Sequence, residues 1–330
     1  MEKTYELMPN AKMLLSSLRS VGYTEETAIA DIVDNSISSG ANTIQLYFDW
    51  DDQTILIADN GKGMQKKELL DSMKIGSSDP GVTRSASDLG RFGMGMKTAS
   101  FSLGKQLLVI TKQKDEINNA EWNLEYVENE DKWEILIHSD EKIDTYIKSK
   151  TDKIEFQNWD EGTLISLSML DKLIDENNMQ KSKVKFYKTV EKVKKHLAMI
   201  FHRFIEEDNL QIYVNKNLLE AWNPFIRQNP ATMELACEEL FDGKTIVSIE
   251  PYILPHKTKF EDEEAFKKAG GAKDWLAHQG FYVYRNRRLI VYGTWFGKFK
   301  KEPAYNLARI KLDMSSESDF EWGDKMYPTD

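Results

Sequence analysis

Asp31 and Asn35 stand four positions apart in Ala28-Ile29-Ala30-Asp31-Ile32-Val33-Asp34-Asn35-Ser36-Ile37. On a helix that spacing stacks both side chains on one face, one turn from each other. A carboxylate and a carboxamide so placed can serve a water and a metal ion side by side. The same spacing also fits a polar solvent face broken by Ile32, Val33 and Ile37. Further along, Asp59-Asn60-Gly61-Lys62-Gly63-Met64 sets a carboxylate at the end of the apolar run Thr54-Ile55-Leu56-Ile57-Ala58 and follows it with two glycines at alternate positions. A carboxylate at a strand end can accept a hydrogen bond from an exocyclic amine. Gly61 and Gly63 let the backbone turn through positive φ and lie flat against a planar ligand. A strand followed by a plain glycine turn is the alternative for this motif taken alone.

A third stretch, Gly76 to Gly95, is poor in apolar residues and rich in turn formers. Loops of that length in compact domains are usually disordered or functional. Its end favours function, because Gly90, Gly93 and Gly95 lead into Met96-Lys97-Thr98-Ala99-Ser100-Phe101-Ser102-Leu103, a helix by pattern. Glycines ahead of a helix start leave backbone N–H groups aimed outward at the positive end of the dipole, an anion site for which a triphosphate is the expected guest. It is not a P-loop, since no Gly-Lys-Ser/Thr follows at the required spacing.

The elements that must position these groups follow from periodicity. Asn10 to Ser20 carries Met13, Leu14, Leu15 and Leu18 at helical spacing, and Thr24 caps a second helix that ends near Gly40. Thr43 to Phe48 and Thr54 to Ala58 are strands, and Lys66 to Lys74 is a short helix. Strands are predicted at Gln106 to Thr111, Glu121 to Val127, Lys132 to His138 and Thr163 to Met169. Helices followed by mostly antiparallel strands make an α+β layer and disfavour a Rossmann fold.

Composition bounds the rest. The 330 residues, 41% hydrophobic, suggest two domains with a sizeable core. With 44 basic and 54 acidic residues the net charge is −10, which argues against a surface that coats nucleic acid as a whole. Cys237 is the single cysteine, which excludes an intramolecular disulfide and fits a reducing, cytoplasmic setting. Neither a signal-peptide order nor an apolar run near the ~20 residues of a membrane span is present, so a soluble protein is expected.

Asp31-x-x-x-Asn35, Asp59-x-Gly61-x-Gly63, Gly90-Arg91-Phe92-Gly93-Met94-Gly95-Met96-Lys97 and Gly162-Thr163 together resemble, in order and context, the N-box and glycine boxes of the GHKL ATPases. The likeness covers roughly the first half of the chain. Within that superfamily the chain looks most similar to MORC-type and MutL-type proteins, through Ile32-Val33-Asp34-Asn35-Ser36-Ile37 and Gly93-Met94-Gly95-Met96-Lys97. The resemblance implies a Bergerat-type helix/sheet sandwich at residues 1–170, ATP with magnesium, a loop that closes on the triphosphate, and a homodimer on ATP binding. It implies that Asn35 ligates magnesium, that Asp59 takes the adenine amino group beside Gly61, Gly63 and Met64, and that Thr163 supports Asp59 and the base. Backbone N–H groups from Gly93 to Lys97, after Gly90, would cradle the phosphates. The base that aligns the attacking water, usually Glu in such proteins, is here Asp31. The acid often found three residues after the Asn is Ser38 here.

From about Asp171 the second half opens with a long helix whose apolar residues Phe186, Val190, Val193, Leu197, Ile200 and Phe204 step by three or four. Its other face carries Lys181, Lys183, Lys185, Lys188, Lys192, Lys194 and Lys195, either a solvated face or a stripe for DNA phosphates read through Lys185, Lys188, Lys192 and Lys195. Arg285, Arg287 and Arg288 could join it. Strands are predicted at Leu210 to Val214, Thr245 to Leu254, Gly280 to Tyr284, Leu289 to Tyr292 and Asn306 to Leu312, with a charged helical insertion near Glu261 to Lys273. This half resembles a transducer-like α/β domain, residues 171–330, which implies one lysine offered to the terminal phosphate: Lys325, with Lys298 second. Trp275, Trp295 and Trp322 are expected to pack. The expectation is an ATPase that hydrolyses slowly to drive a conformational cycle; the alternatives are a nucleotide-gated module with little hydrolysis and a chaperone-like ATPase acting on a protein partner.

Overall fold

The computed structural model describes residue 5 and residues 10–20, 22–76, 95–241 and 246–314. It opens with helices α1 (Ala11–Arg19) and α2 (Glu25–Ser38), strands β1 (Thr43–Asp49) and β2 (Thr54–Asp59), and helices α3 (Lys66–Met73) and α4 (Gly95–Leu103). Strands β3 (Gln106–Gln113) and β4 (Glu116–Asn123), helices α5 (Leu124–Glu130) and α6 (Asp140–Lys148), strand β5 (Gly162–Ser168) and helices α7 (Met179–Ile200) and α8 (His202–Glu207) follow. The remainder comprises β6 (Gln211–Val214), β7 (Asn217–Leu218), β8 (Met233–Glu234), β9 (Glu238–Phe241), β10 (Ile246–Ile253), α9 (Glu263–Ala269), β11 (Gly280–Arg285), β12 (Arg288–Thr294) and β13 (Ala308–Met314). Among the described residues no helix is long and apolar enough to cross a membrane.

The chain divides into two compact units, the first taking in residues up to 76, 95–196 and 210–219. Its sheet runs β4-β3-β5-β2-β1-β6-β7. Strand β2 is buried along its whole length because both sheet faces are covered. Leu56 and Ala58 join Ile143 and Ile147 of α6 on one side, so alternation sends Ile55, Ile57 and Asp59 to the other. An unbroken apolar run is what a strand covered on both faces requires. Thr24 caps α2 through the Thr27 N–H, with Glu25 and Glu26 in the first turn, where acids meet the positive helix end. Phe186 of α7 is fully buried and meets Phe48 and Trp50 edge-on at 6.1 and 5.6 Å.

The second unit holds residues 197–209 and 220–314 of the described chain. Its sheet runs β12-β11-β13-β10, with β8 and β9 both on β10. Tyr252, Tyr282 and Tyr284 are buried around Phe225, and His202 Nε2 shares a hydrogen bond of 2.7 Å with the Tyr284 hydroxyl. Trp275 and Trp295 pack as expected, whereas Trp322 lies outside the described residues.

Two strand expectations are corrected. The strand predicted from Glu121 to Val127 ends at Asn123, whose side chain accepts from the Tyr126 N–H and starts α5; Leu124 and Val127 are buried at helical spacing rather than alternating. Lys132 to His138 makes a single bridge, Glu121 to Leu136, because the Asn119 side chain takes both the His138 N–H and its carbonyl in place of a ladder. The antiparallel majority holds, with parallel pairs at β1–β6 and β11–β13.

Truncating Phe186 to Ala should lower unfolding stability by about 3 kcal/mol, as emptied aromatic core sites do. Denaturant unfolding of the full chain measures it. A change under about 0.5 kcal/mol, the scale of surface substitutions, would show that α7 is not anchored on β1.

Candidate functional site

Asp59 ends β2 with its carboxylate almost fully buried. One oxygen accepts from the Gly61 N–H at 2.9 Å and the other from the Ser36 hydroxyl of α2 at 2.8 Å. Burial pushes its pKa up, opposed by Gly61, Ser36, the Thr163 N–H and the Ser39 hydroxyl. Thr163 of β5 lies opposite Asp59 in the sheet and opposite Thr111 of β3 on its other side. The Thr111 hydroxyl accepts from the Met64 N–H at 2.8 Å, donates to the Gly162 carbonyl at 3.2 Å and lies 3.5 Å from the Thr163 hydroxyl. Asp59, Gly61, Gly63, Met64 and Thr163 are thus brought to one end of three neighbouring strands.

The two glycines are needed for different reasons than a flat ligand alone. Gly63 has φ +63°, and a Cβ there would stand 2.0 Å from the Lys112 carbonyl oxygen. Gly61 does not take positive φ; a Cβ there would stand 1.9 Å from Ser39 Oγ and 2.9 Å from Asp59 Oδ1. Close approach of the box to the end of α2 and to β3 is therefore what fixes both.

Helix α2 carries the other end of the site. The Asp31 carboxylate accepts from the Tyr23 hydroxyl at 2.6 Å. A methyl placed on Gly95 would lie 3.8 Å from Asp31 Oδ2, so the N-terminus of α4 abuts this carboxylate. Asn35 is exposed and its Nδ2 donates to the Asp31 carbonyl at 2.9 Å, so its Oδ1 is the amide atom that could meet a metal. That donor suits Mg²⁺, a hard cation usually held by few protein oxygens together with phosphates and waters; among the described residues no three His, Cys, Asp or Glu side chains gather into a cage.

Gly95, Met96 and Lys97 open α4, whereas Gly90, Gly93 and Met94 lie outside the described residues. The Lys97 side chain is buried and donates to the Ser72 and Lys74 carbonyls at 2.6 and 2.7 Å; burial alone brings its pKa down to about 8. In the second unit Lys298 is exposed, and Lys325 is outside the described residues. Lys188, Lys192 and Lys195 are exposed on α7, while Lys185 donates to the Lys172 carbonyl at 2.5 Å and lies 3.7 Å from Glu25.

Sequence reasoning missed Ser36, Tyr23 and Thr111. Ser36 left a trace, since it sits on the buried face of α2 with Ile29, Ile32 and Val33, where a small polar residue needs a partner. Tyr23 and Thr111 left none, because their roles depend on chain segments that only folding brings together.

Because burial raises the pKa of Asp59, its ionised form costs stability, and that cost grows as pH climbs from the unfolded value through the folded one. The nucleotide-free Asp59→Asn protein should therefore be at least as stable as the parent at pH 7, with the difference shrinking toward pH 4. Thermal unfolding across that range checks this, and a variant clearly less stable at pH 7 refutes it. Gly63→Ala should destabilise the fold by about 1–3 kcal/mol, as a strained non-glycine conformation does, in the same assay.

Residues 23–160 match the profile of the family described as histidine kinase-, DNA gyrase B-, and HSP90-like ATPase. The chain is similar to ATPase morc-1 of Caenorhabditis elegans, 33% identical over 121 residues, covering 35% of this chain and 14% of that protein. It is 28% identical over 109 residues to mouse MORC family CW-type zinc finger protein 3, covering 31% of this chain and 11% of that protein. Human ATPase MORC2 is 25% identical over 119 residues, 34% of this chain and 11% of its own length. The chain thus spans about one-seventh or less of these curated relatives. The matched segment contains the buried Asp59, its glycine box and the Asp31–Asn35 face of α2, and over that segment the chain is similar to the histidine kinase-, DNA gyrase B- and HSP90-like ATPases and to MORC proteins.

Proposed function

We propose that the first unit binds ATP with Mg²⁺ and hydrolyses it slowly. The observation that carries this reading is the meeting of the α4 N-terminus with Asp31 on the helix whose Ser36 holds Asp59. Asp31 and Ser36 are separated by about 7.5 Å along the axis at 1.5 Å per residue, so one rigid element spaces a base pocket from a phosphate pocket. Asp59 takes the adenine amino group, with Gly61, Gly63, Met64 and Thr163 framing the ring. The first N–H groups of α4 receive phosphate oxygens. Magnesium, when bound, neutralises phosphate charge, and Asn35 is the residue that would hold it. Asp31 orients the attacking water and takes its proton. It is one methylene shorter than Glu, and a general base must reach within ~2.6–3.2 Å of its proton or act through a water, which accounts for slow turnover.

The same reading extends to two chains associating when ATP binds and to DNA phosphates meeting Lys188, Lys192 and Lys195. What supports the second is exposure of these lysines along α7 near exposed Val184 and Tyr187.

Adenine recognition through Asp59 predicts ATP over GTP, and Asp59→Asn should weaken ATP by about 2 kcal/mol or more, as loss of a buried charge-assisted hydrogen bond does. Calorimetry giving equal affinity for ATP and GTP would sink the base assignment. Asp31→Ala should abolish phosphate release at saturating ATP while leaving binding intact; undiminished release would remove Asp31 from the chemistry. DNA binding, if the lysine face carries it, should fall with salt at about −0.9 in log–log slope per phosphate neutralised, and reversing Lys188, Lys192 and Lys195 should remove it while ATP affinity stays.

A further inference from the structure

Lys97 lies in the first turn of α4, after Gly90, Gly93 and Gly95 in the sequence. Its side chain runs to the far end of α3. Its ammonium donates to the Ser72 carbonyl at 2.6 Å and the Lys74 carbonyl at 2.7 Å, and the indole N–H of Trp122, from β4, donates to the intervening Met73 carbonyl at 2.9 Å. Three consecutive carbonyls at the C-terminus of α3 are therefore taken by side chains that are themselves 2% and 5% exposed. The last carbonyls of a helix have no intrahelical partner and carry the negative end of the dipole, which makes them the natural seat for a buried ammonium. Among the described residues Lys97 makes no ion pair with a carboxylate; Asp71, on the same helix, is paired with Lys74 at 2.6 Å.

The start of α3 is fixed just as firmly. The Met64 N–H is bound to Thr111, and the Gln65 N–H donates to Glu68 at 2.9 Å. Helix α3 thus runs from the glycine box beside Asp59 to the ammonium of Lys97, and the backbone of Lys97 belongs to the first turn of α4.

We propose that Lys97 is a positioning residue: through the Ser72 and Lys74 carbonyls it locks α3 to α4 and sets where the N–H groups of α4 stand relative to the base pocket. This rests on the ATP reading above. Lys97 contributes its backbone to the phosphate site and its side chain to the frame that holds that site in place. A phosphate cradle built in advance binds more tightly than one assembled on arrival, because ordering is not charged against affinity.

The test uses the full chain with Lys97→Met, which keeps the length of the side chain and removes its donors. Calorimetry with adenosine and with ATP, each with magnesium, is combined with amide hydrogen exchange of α3 in nucleotide-free protein. Expected are adenosine affinity unchanged within about twofold, ATP affinity lower by about tenfold or more, the scale of losing hydrogen bonds to a charged group, and faster exchange across residues 69–74. Lys97→Arg, which restores donors to the same carbonyls, should recover most of the ATP affinity. Weakened ATP with unchanged α3 exchange would overturn the proposal in favour of direct phosphate contact, and unchanged ATP affinity would overturn it outright. If Lys97→Met fails to fold, Trp122→Phe, which frees only the Met73 carbonyl, should shift ATP affinity and α3 exchange in the same direction by a smaller factor; no shift overturns the proposal. Failure of the parent chain to bind ATP or adenosine would instead refute the nucleotide reading on which this one stands.

Discussion

A carboxylate buried at the end of a covered strand is the constraint from which the first unit is built. Asp59 has lost its water, and an ionised group so placed is tolerated only when donors surround it. Gly61 and Ser36 supply them at 2.9 and 2.8 Å. That requirement brings three pieces of chain to one point: the turn after β2, the C-terminal half of α2 and the start of β5. It also dictates a residue type that no catalytic argument needs, since Ser39 stands where a side chain on residue 61 would go.

With α2 pinned at Ser36, its preceding turns are no longer free. Asp31 is held by the Tyr23 hydroxyl and faces the start of α4, and Asn35 is oriented by the carbonyl one turn back. A single helix therefore places Asp31, Asn35 and Ser36 relative to one another. In the second unit polar groups serve a different purpose. Lys311 is paired with Glu250 at 2.9 Å and Arg203 with Asp313 at 2.6 Å across adjoining elements, while Arg309, 1% exposed, lies over the rings of Trp275 and Tyr282. Such groups specify register and packing, since leaving any one of them unpartnered on rearrangement would be costly.

Much of this was legible in the sequence where chemistry and periodicity coincide. Asp59 after an apolar run, Asn35 one turn after Asp31, and the capped start of α2 follow from spacing alone, and β10 to β13 fall near their predicted places, whereas the short β8 and β9 were not foreseen. Legibility failed where a side chain replaced a backbone partner. Asn119 takes over the hydrogen bonds that would have made 132–138 a strand, and Asn123 turns an apparently continuous strand into the start of α5. A window of alternating residues carries no sign of either event. The parallel pairing of β6 with β1 was equally silent, because two short strands separated by most of a domain share no local pattern.

Lys97 shows the same limit at the level of one residue. A motif specifies residue types in order, and that order assigns the Lys97 backbone N–H to an anion site while saying nothing of where its side chain goes. In a helix the two part company: N–H groups of the first turn point out along the axis, whereas the side chain leaves sideways toward whatever packs against that face. For Lys97 the neighbour is the end of α3, and a buried ammonium seated on helix carbonyls is a better explanation of its 2% exposure than a reach toward solvent-borne phosphate. Direction, which folding alone sets, is what separates a ligand from the frame that holds one.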